Sequence, residues 1–317
     1  IGTGATAVQA VPKLAQAAKH LYVFQRTPSA VGERNQRDTD PEWFAQMAAK
    51  PGWQQERIEN FTGMITGKNP AVDLVDDGWT ALLGVDTRRL PKDADEAELL
   101  ELIDFHNMDA IRARVDEIVE DPATADALKP WYMFMCKRPC FHNDYLPTFN
   151  RPNVHLIDTH GKGITEIAPD GPVFEGKTYK LDLLIYATGF EVQKTGTWNQ
   201  IRGVGGQDLQ DKYAEGIRTL FGIHTHGYPN MFIMGGYQAP FNFNLTDMLQ
   251  IQGDHIANCI AHVREHGYAS IDCSAQAEED WVQEVIKHRG KTNRNAECTP
   301  GYYNFEGQFN RRQDGNY

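Results

Sequence analysis

A glycine turn opens the sequence. Ile1-Gly2-Thr3-Gly4-Ala5-Thr6-Ala7 has the Gly-x-Gly-x-x-Ala spacing of a turn that leads from a strand into a helix and holds a dinucleotide. The first glycine allows the tight turn, the second lets the backbone approach a pyrophosphate, and the small third residue permits close packing of the helix. The phosphates would rest on the helix N-terminus, where N–H groups without an intrahelical partner point outward. Such a turn follows a buried strand, so the strand leading into it is expected upstream of residue 1.

The residues that follow support this reading. Val8, Ala10, Val11 and Leu14 give residues 7–19 an apolar helical stripe, and Leu21-Tyr22-Val23-Phe24 is a short β-rich run. Turn, helix and strand together have the length of a mononucleotide-binding unit. An NAD site places an acidic residue at the end of the second strand, but this chain has Gln25-Arg26-Thr27. A cation and a hydroxyl suit a 2′-phosphate, so NADP(H) is the expected dinucleotide.

The remaining chemistry of the chain excludes several partners. Net charge is −12 across 317 residues, which argues against a nucleic-acid or anionic-membrane surface, since both require a basic patch. No apolar run reaches the length of a transmembrane helix. The five cysteines are scattered, in a chain too large to need disulfide staples, and a reducing cytoplasm fits them best. Cys136 and Cys140 have no second ligand pair nearby, and the histidines, His224-x-His226 included, read as structural or surface residues. No metal is expected.

Composition changes along the chain. Residues 31–130 are polar and charge-mixed, with Leu99, Leu100, Ile103, Met108, Ile111, Val115 and Ile118 near helical spacing, and read as a helical insertion in which Trp43, Trp53 and Trp79 pack. Strand signals return at Tyr132–Met135, Val154–Ile157, Leu181–Tyr186 and Met231–Met234. The third run is apolar at nearly every position, as in a strand covered on both faces, and leads into Ala187-Thr188-Gly189-Phe190. Small residues at the carboxyl end of such a strand leave room for a ligand. A helix is expected over 246–266, followed by a loop-like tail packed at Tyr302, Tyr303 and Phe305. These signals give an α/β fold: a Rossmann-like dinucleotide-binding domain at 1–180, with its helical insertion, and the carboxyl-terminal part of a second cofactor domain at 181–317.

Cys136-Lys137-Arg138-Pro139 is the second segment that carries chemistry. If it is extended, Lys137 and Arg138 diverge to opposite faces. One cation can then reach a 2′-phosphate while the other enters a different pocket; a surface pair is the alternative.

Taken in order, the glycine turn, Phe24-Gln25-Arg26-Thr27-Pro28, Cys136-Lys137-Arg138-Pro139, Phe141-His142-Asn143-Asp144-Tyr145, Phe149-Asn150-Arg151-Pro152-Asn153-Val154, Ala187-Thr188-Gly189-Phe190 and Cys298-Thr299-Pro300-Gly301-Tyr302-Tyr303 resemble the Baeyer–Villiger monooxygenases. These are flavoproteins that use FAD and NADPH, and the likeness is to the branch acting on larger rings and steroids. The resemblance implies that Gly2, Thr3, Gly4, Ala5 and Thr6 hold the NADPH pyrophosphate, and that Arg26, Thr27 and Lys137 hold its 2′-phosphate. It makes Arg138 the catalytic arginine beside the flavin, sets Thr188 and Gly189 at the junction of FAD and NADP, and places Met248 with residues 238–245 at the border of the substrate pocket. It also implies that the FAD fingerprint and an acidic partner of Arg138 lie upstream, in an N-terminal half with which this chain would complete the FAD site.

The expected activity is insertion of one oxygen atom from O2 beside a ketone carbonyl, giving an ester or lactone. A guanidinium suits it, because it stays charged and donates several fixed hydrogen bonds to a developing anion. A flavin-dependent N- or S-oxygenase would share the cofactor plan without needing Arg138. A non-catalytic NADP-binding redox sensor would need neither Arg138 nor Ala187-Thr188-Gly189. The ketone depends on loops at 60–90 and 237–247, whose shape the sequence does not specify.

Overall fold

A computed structural model describes residues 1–84, 96–190, 198–239, 244–289, 298–301, 303, 304 and 307. Parts of both substrate-loop segments (residues 85–90 and 240–243), together with Tyr302 and Phe305, lie outside the described residues. The chain forms two compact units, residues 1–190 with 301–303, and residues 191–300 with 304–317.

The first unit begins with the turn and α1 (Ala5–Ala17), whose Ala7, Val8, Val11 and Ala15 are buried. The next strand, β1 (Leu21–Gln25), runs parallel to β4 (Val154–Asp158), with Leu21 opposite Val154 and Gln25 opposite Asp158. On the other side of β1, the Gly2 N–H donates to the Phe24 carbonyl at 2.9 Å. The Ile1 nitrogen donates to Ile185 O at 2.7 Å, and Ala187 N–H donates to Ile1 O at 2.8 Å. Residues 1–2 therefore lie between β1 and residues 185–187. Packed on this layer are α1 and residues from Val115 to Val119, Ala125 to Leu128 and Tyr145 to Phe149.

A second parallel pair, β2 (Val31–Gly32) and β3 (Cys140–Phe141), lies beyond β1. Between its strands run the helices α2 (Pro41–Ala48), α3 (Trp53–Ile65), α4 (Gly78–Leu83), α5 (Glu96–Ile118) and α6 (Pro122–Leu128). Asp40, Asp77 and Asp121 cap α2, α4 and α6, each accepting from N–H groups of the first turn. Helix α5 buries Met108, Ile111 and Val115, the spacing that marks it in the sequence. Trp79 packs on Phe141 at 4.2 Å between ring centroids, whereas Trp43 is exposed, with the Arg57 guanidinium over its ring.

After the short α7 (Tyr145–Thr148) and β4, an antiparallel sheet of β5 (Glu166–Ala168), β6 (Gly171–Phe174) and β7 (Lys177–Thr178) completes the unit. Glu175 and Gly176 both have positive φ, 49° and 76°, as a two-residue hairpin turn requires.

Three expected strands are absent among the described residues. Tyr132–Met135 leads into a 3₁₀ turn at Phe134–Cys136, where the Phe134 N–H is taken by Asp104 rather than by a strand. In Leu181–Tyr186, Leu183 is 72% exposed, and the run bonds its surroundings at its ends, Leu181 N–H donating to Asp170 O and Ile185 O accepting from the Ile1 nitrogen, without forming a ladder. Apolar composition does not make a strand without a ladder partner. Met231–Met234 likewise has no ladder, although Ile233 N–H donates to Ile223 O at 2.8 Å.

In the second unit, α8 (Leu209–Lys212) supplies Leu209 to a cluster with Tyr213, Ile217 and Tyr228. Two longer helices follow, α9 (Leu245–Glu265) and α10 (Ala275–Arg289). Along α9 the buried residues are Met248 and Gln252, while Ile251 is 63% exposed.

Candidate functional site

The expected site begins where the Gly2 turn meets the segment after residue 185. Gly2 has φ +108°, and a Cβ there would run into the Ala187 carbonyl, so this position admits only glycine. Its backbone thereby brings the turn against Ala187 and Thr188. Gly4 contrasts with it: a Cβ would meet nothing within 4 Å, and the space above this backbone is open. Gly4 is the N-cap of α1, with no side-chain cap and no acidic residue in the first turn. The first N–H groups of the helix, on Ala5 and Thr6, are thus available to an anion.

Two hydroxyls fix the turn to the loop after β1. Thr3 Oγ1 donates to Thr27 O at 2.7 Å, and Ser29 Oγ donates to Thr3 O at 2.6 Å. Thr3 is buried and its hydroxyl is spent on this tie, leaving only its backbone for a ligand. Gln25, fully buried, donates to Ala127 O at 2.7 Å, so it anchors α6 rather than facing a ligand. Arg26, next in sequence, is exposed, and its carbonyl accepts from Gly161 N–H at 3.0 Å.

Tyr132 carries the loop to the second motif. Its hydroxyl donates to Pro28 O at 2.9 Å and accepts from Ala30 N–H at 3.0 Å. Burial, the largest cause, pushes this phenol well above its usual range and so keeps the donor protonated. Over its ring lies the Lys137 ammonium, 5.7 Å from the centroid. Lys137 is extended, with φ −132° and ψ 157°, and the β2–β3 ladder then fixes Cys140 beside Val31. Arg138, between them, is exposed. Burial pushes the Cys140 thiol up to about 11, with the Arg138 charge opposing it.

The first unit therefore brings the Gly2 turn against Ala187 and Thr188, and places Lys137 beside the Pro28–Ala30 loop through Tyr132. Composition puts Tyr132 in a strand; its bridging role emerges only from the fold. Met248 is buried on α9 in the second unit. Gln238, expected at the substrate border, accepts from Thr219 N–H and Oγ1 and donates to Ile217 O, which makes it a brace for that loop.

The second unit also has a cavity of about 1000 Å³, lined in part by Lys212, Arg218, Glu278 and Glu279. Its charges serve one another: Lys212 Nζ lies 2.8 Å from Glu278 Oε1, which also accepts from Thr225 Oγ1 and His226 N–H. Cys140, Cys259 and Cys273 are free thiols.

Comparison with known proteins fits this arrangement. A Baeyer–Villiger monooxygenase of Stachybotrys chlorohalonatus is 44% identical over 329 aligned residues, covering 100% of this chain and 52% of its own length. Neopentalenolactone D synthase of Streptomyces avermitilis is 45% identical, with 97% and 53% covered. The solved polycyclic ketone monooxygenase of Thermothelomyces thermophila superposes with a TM-score of 0.85 at 38% identity, over 99% of this chain and 54% of that one. This chain belongs to the Baeyer–Villiger monooxygenase family. It spans about half the length of the curated relatives it matches. No protein-family model matches it. A solved structure described as OTEMO in complex with FAD and NADP superposes with a TM-score of 0.75 at 26% identity, so the α/β fold is shared with a protein crystallised with both cofactors. No described helix is long and apolar enough to cross a membrane.

Proposed function

We propose that the intact protein is an FAD- and NADPH-dependent monooxygenase that inserts one oxygen atom from O2 beside a ketone carbonyl, giving an ester or lactone. The observation that carries this reading is the bare backbone at the mouth of α1, where Gly2 closes against Ala187 and Gly4 stands in open space. An uncapped helix N-terminus without acidic residues fits a pyrophosphate. Gly2, Thr3, Gly4, Ala5 and Thr6 hold that group, and Arg26, Thr27 and Lys137 hold the 2′-phosphate. Thr188 and Gly189 line the junction of the two cofactors, and Met248 borders the substrate.

Within this reading residues 1–180 are the NADP-binding domain, with 31–130 as its insertion, and 181–317 the carboxyl-terminal part of the FAD-binding domain. Residues 181–190 nevertheless pack in the first compact unit, as the bonds between Ile1 and residues 185–187 require. The FAD fingerprint would come from an N-terminal half of the same polypeptide.

When bound, the cofactors supply the hydride and activate oxygen. Arg138 does the work that belongs to this chain. Its guanidinium remains charged at any working pH, and its fixed N–H fork holds the negative charge that develops as the ketone carbonyl is attacked. It does so without giving up a proton. Lys137, one residue earlier, points to the other face and positions the dinucleotide.

The test is conversion of a polycyclic or steroidal ketone by the intact protein with NADPH under ¹⁸O₂. One ¹⁸O atom in a lactone or ester is expected. Oxygenated amine or thioether with no ester from any ketone would instead favour the N- or S-oxygenase.

A further inference from the structure

We propose that His224, His255 and Cys259 form a binding site for a divalent transition metal of the zinc class, separate from the residues that hold the cofactors. His255 and Cys259 are four residues apart on α9 and so share one face of the helix. His224 reaches them from the preceding loop. Its Nε2 lies 2.9 Å from His255 Nε2, and Cys259 Sγ lies 3.5 Å from the same His255 nitrogen. All three donor atoms fall within 4.8 Å of one another.

Two of these separations, 2.9 and 3.5 Å, lie close to those of a coordination shell. With metal–nitrogen and metal–sulfur distances of about 2.05 and 2.3 Å, tetrahedral ligands stand about 3.3 Å apart for two nitrogens and about 3.5 Å for nitrogen and sulfur. Reorientation of the His224 imidazole would bring the three donors onto one ion. The donor set of two imidazoles and one thiolate suits zinc, and cobalt as its probe, and excludes magnesium and calcium, which take oxygen ligands. Three protein ligands leave the fourth position to water.

The frame is built in advance. Ile233 N–H holds Ile223 O at 2.8 Å, next to His224. Gln252, one helical turn before His255, bonds both the N–H and the carbonyl of Gly235, at 3.0 and 2.9 Å. Residues 233–235 thus latch both ligand-bearing segments. Phe232 packs its ring against His224 with centroids 5.4 Å apart. His224 is only 8% exposed, so its ring is held within the protein rather than in solvent. The metal would pin α9 to the loop carrying His224.

The sequence expectation of no metal rests on paired-histidine and paired-cysteine spacing, and His-x-x-x-Cys escapes both. His262 and His266 do have the i, i+4 spacing, but among the described residues no third donor gathers with them.

The intact protein, purified without a histidine tag and stripped by a chelator, is titrated with Co²⁺. One equivalent should bind, with a thiolate-to-cobalt charge-transfer band and the intense visible bands of a tetrahedral ion, and Zn²⁺ should displace it. Cys259→Ser should lose the charge-transfer band, His255→Ala should lose stoichiometric binding, and His262→Ala should keep both. Absence of the band, or its persistence in Cys259→Ser, overturns the proposal. Should a variant fail to fold, alkylation of the unmodified protein decides the same question: Zn²⁺ must protect Cys259, read by peptide mass spectrometry, and equal labelling with and without Zn²⁺ overturns it.

Discussion

The glycine turn and the Lys137–Arg138 segment are built on opposite plans. The turn presents backbone: Gly2 has no space for a side chain, Thr3 spends its hydroxyl on Thr27, and Gly4 leaves the helix end uncovered. The second segment presents side chains, Lys137 over the Tyr132 ring and an exposed Arg138, on a stretch that leads into the strand fixed by the Val31–Cys140 pairing. At Gly2 the backbone cannot be altered without altering the fold, whereas a site made of side chains can lose its chemistry and keep its shape. That difference is testable at each position.

The largest expected effect is at Arg138. In the intact protein Arg138→Ala should cut ester formation by about 100- to 1000-fold, the usual cost of removing one preorganised donor from an oxyanion site. Flavin reduction by NADPH should persist, and Arg138→Lys should restore little because the planar fork is lost. Rapid-mixing measurement of the two half-reactions, with ester yield, separates these. Undiminished ester formation would remove Arg138 from the chemistry.

Arg26→Ala comes next. Loss of a charge-assisted contact worth about 1.5–3 kcal/mol should lower kcat/KM for NADPH by roughly 10- to 150-fold and leave NADH little changed. Equal losses for both cofactors would break the assignment of Arg26 to the 2′-phosphate.

The two glycines sharpen the contrast by separating fold from binding. Gly2→Ala meets the Ala187 carbonyl at a φ of +108° and should destabilise by at least about 1–3 kcal/mol. Gly4→Ala should leave stability intact, since its φ of −74° and open surroundings suit alanine, yet weaken the dinucleotide by blocking backbone approach. Denaturant midpoints and NADPH titrations on both variants decide the matter. Parallel effects in the two assays would show the plans to be the same.

A further expected effect concerns pH. Burial raises the Cys140 and Cys273 thiols from 9.0 to about 11. Between those values the unfolded chain binds fewer protons than the folded one, so stability falls as pH rises, by up to about 1.4 kcal/mol per pH unit for each thiol. Urea midpoints from pH 8 to 11 should decline over that window, and Cys140→Ala should flatten the curve. A level profile would show that neither thiol stays protonated.

The fold is legible in the sequence wherever short-range rules suffice. The turn, α1, β1 and β4 are all readable, because glycine spacing, helical period and β-branched runs act within a few residues. Leu181–Tyr186 has the composition of a strand and is not one, because a strand also needs a neighbour, and Leu183 lacks cover. Tyr132 escapes a sequence reading as a site residue for a related reason: its hydroxyl joins Pro28 to Ala30 from 102 residues beyond Ala30. The Glu175-Gly176 turn, by contrast, is open to reading, since a residue followed by glycine between two short β-prone runs is a hairpin signal.

The bond from Ile1 to Ile185 spans 184 residues, and this separation governs how the chain can be made. On a ribosome adding about 5–20 residues per second, the first turn waits roughly 10–40 s for the segment that closes against Gly2. Meanwhile α1 and β1 can form, but the sheet cannot gain its full set of neighbours. Loop-closure entropy must be met before these distant contacts contribute. The nascent chain therefore carries an unfinished edge beside β1 until residue 185 emerges, and this is the interval in which a chaperone that covers apolar strands would change the yield of folded protein.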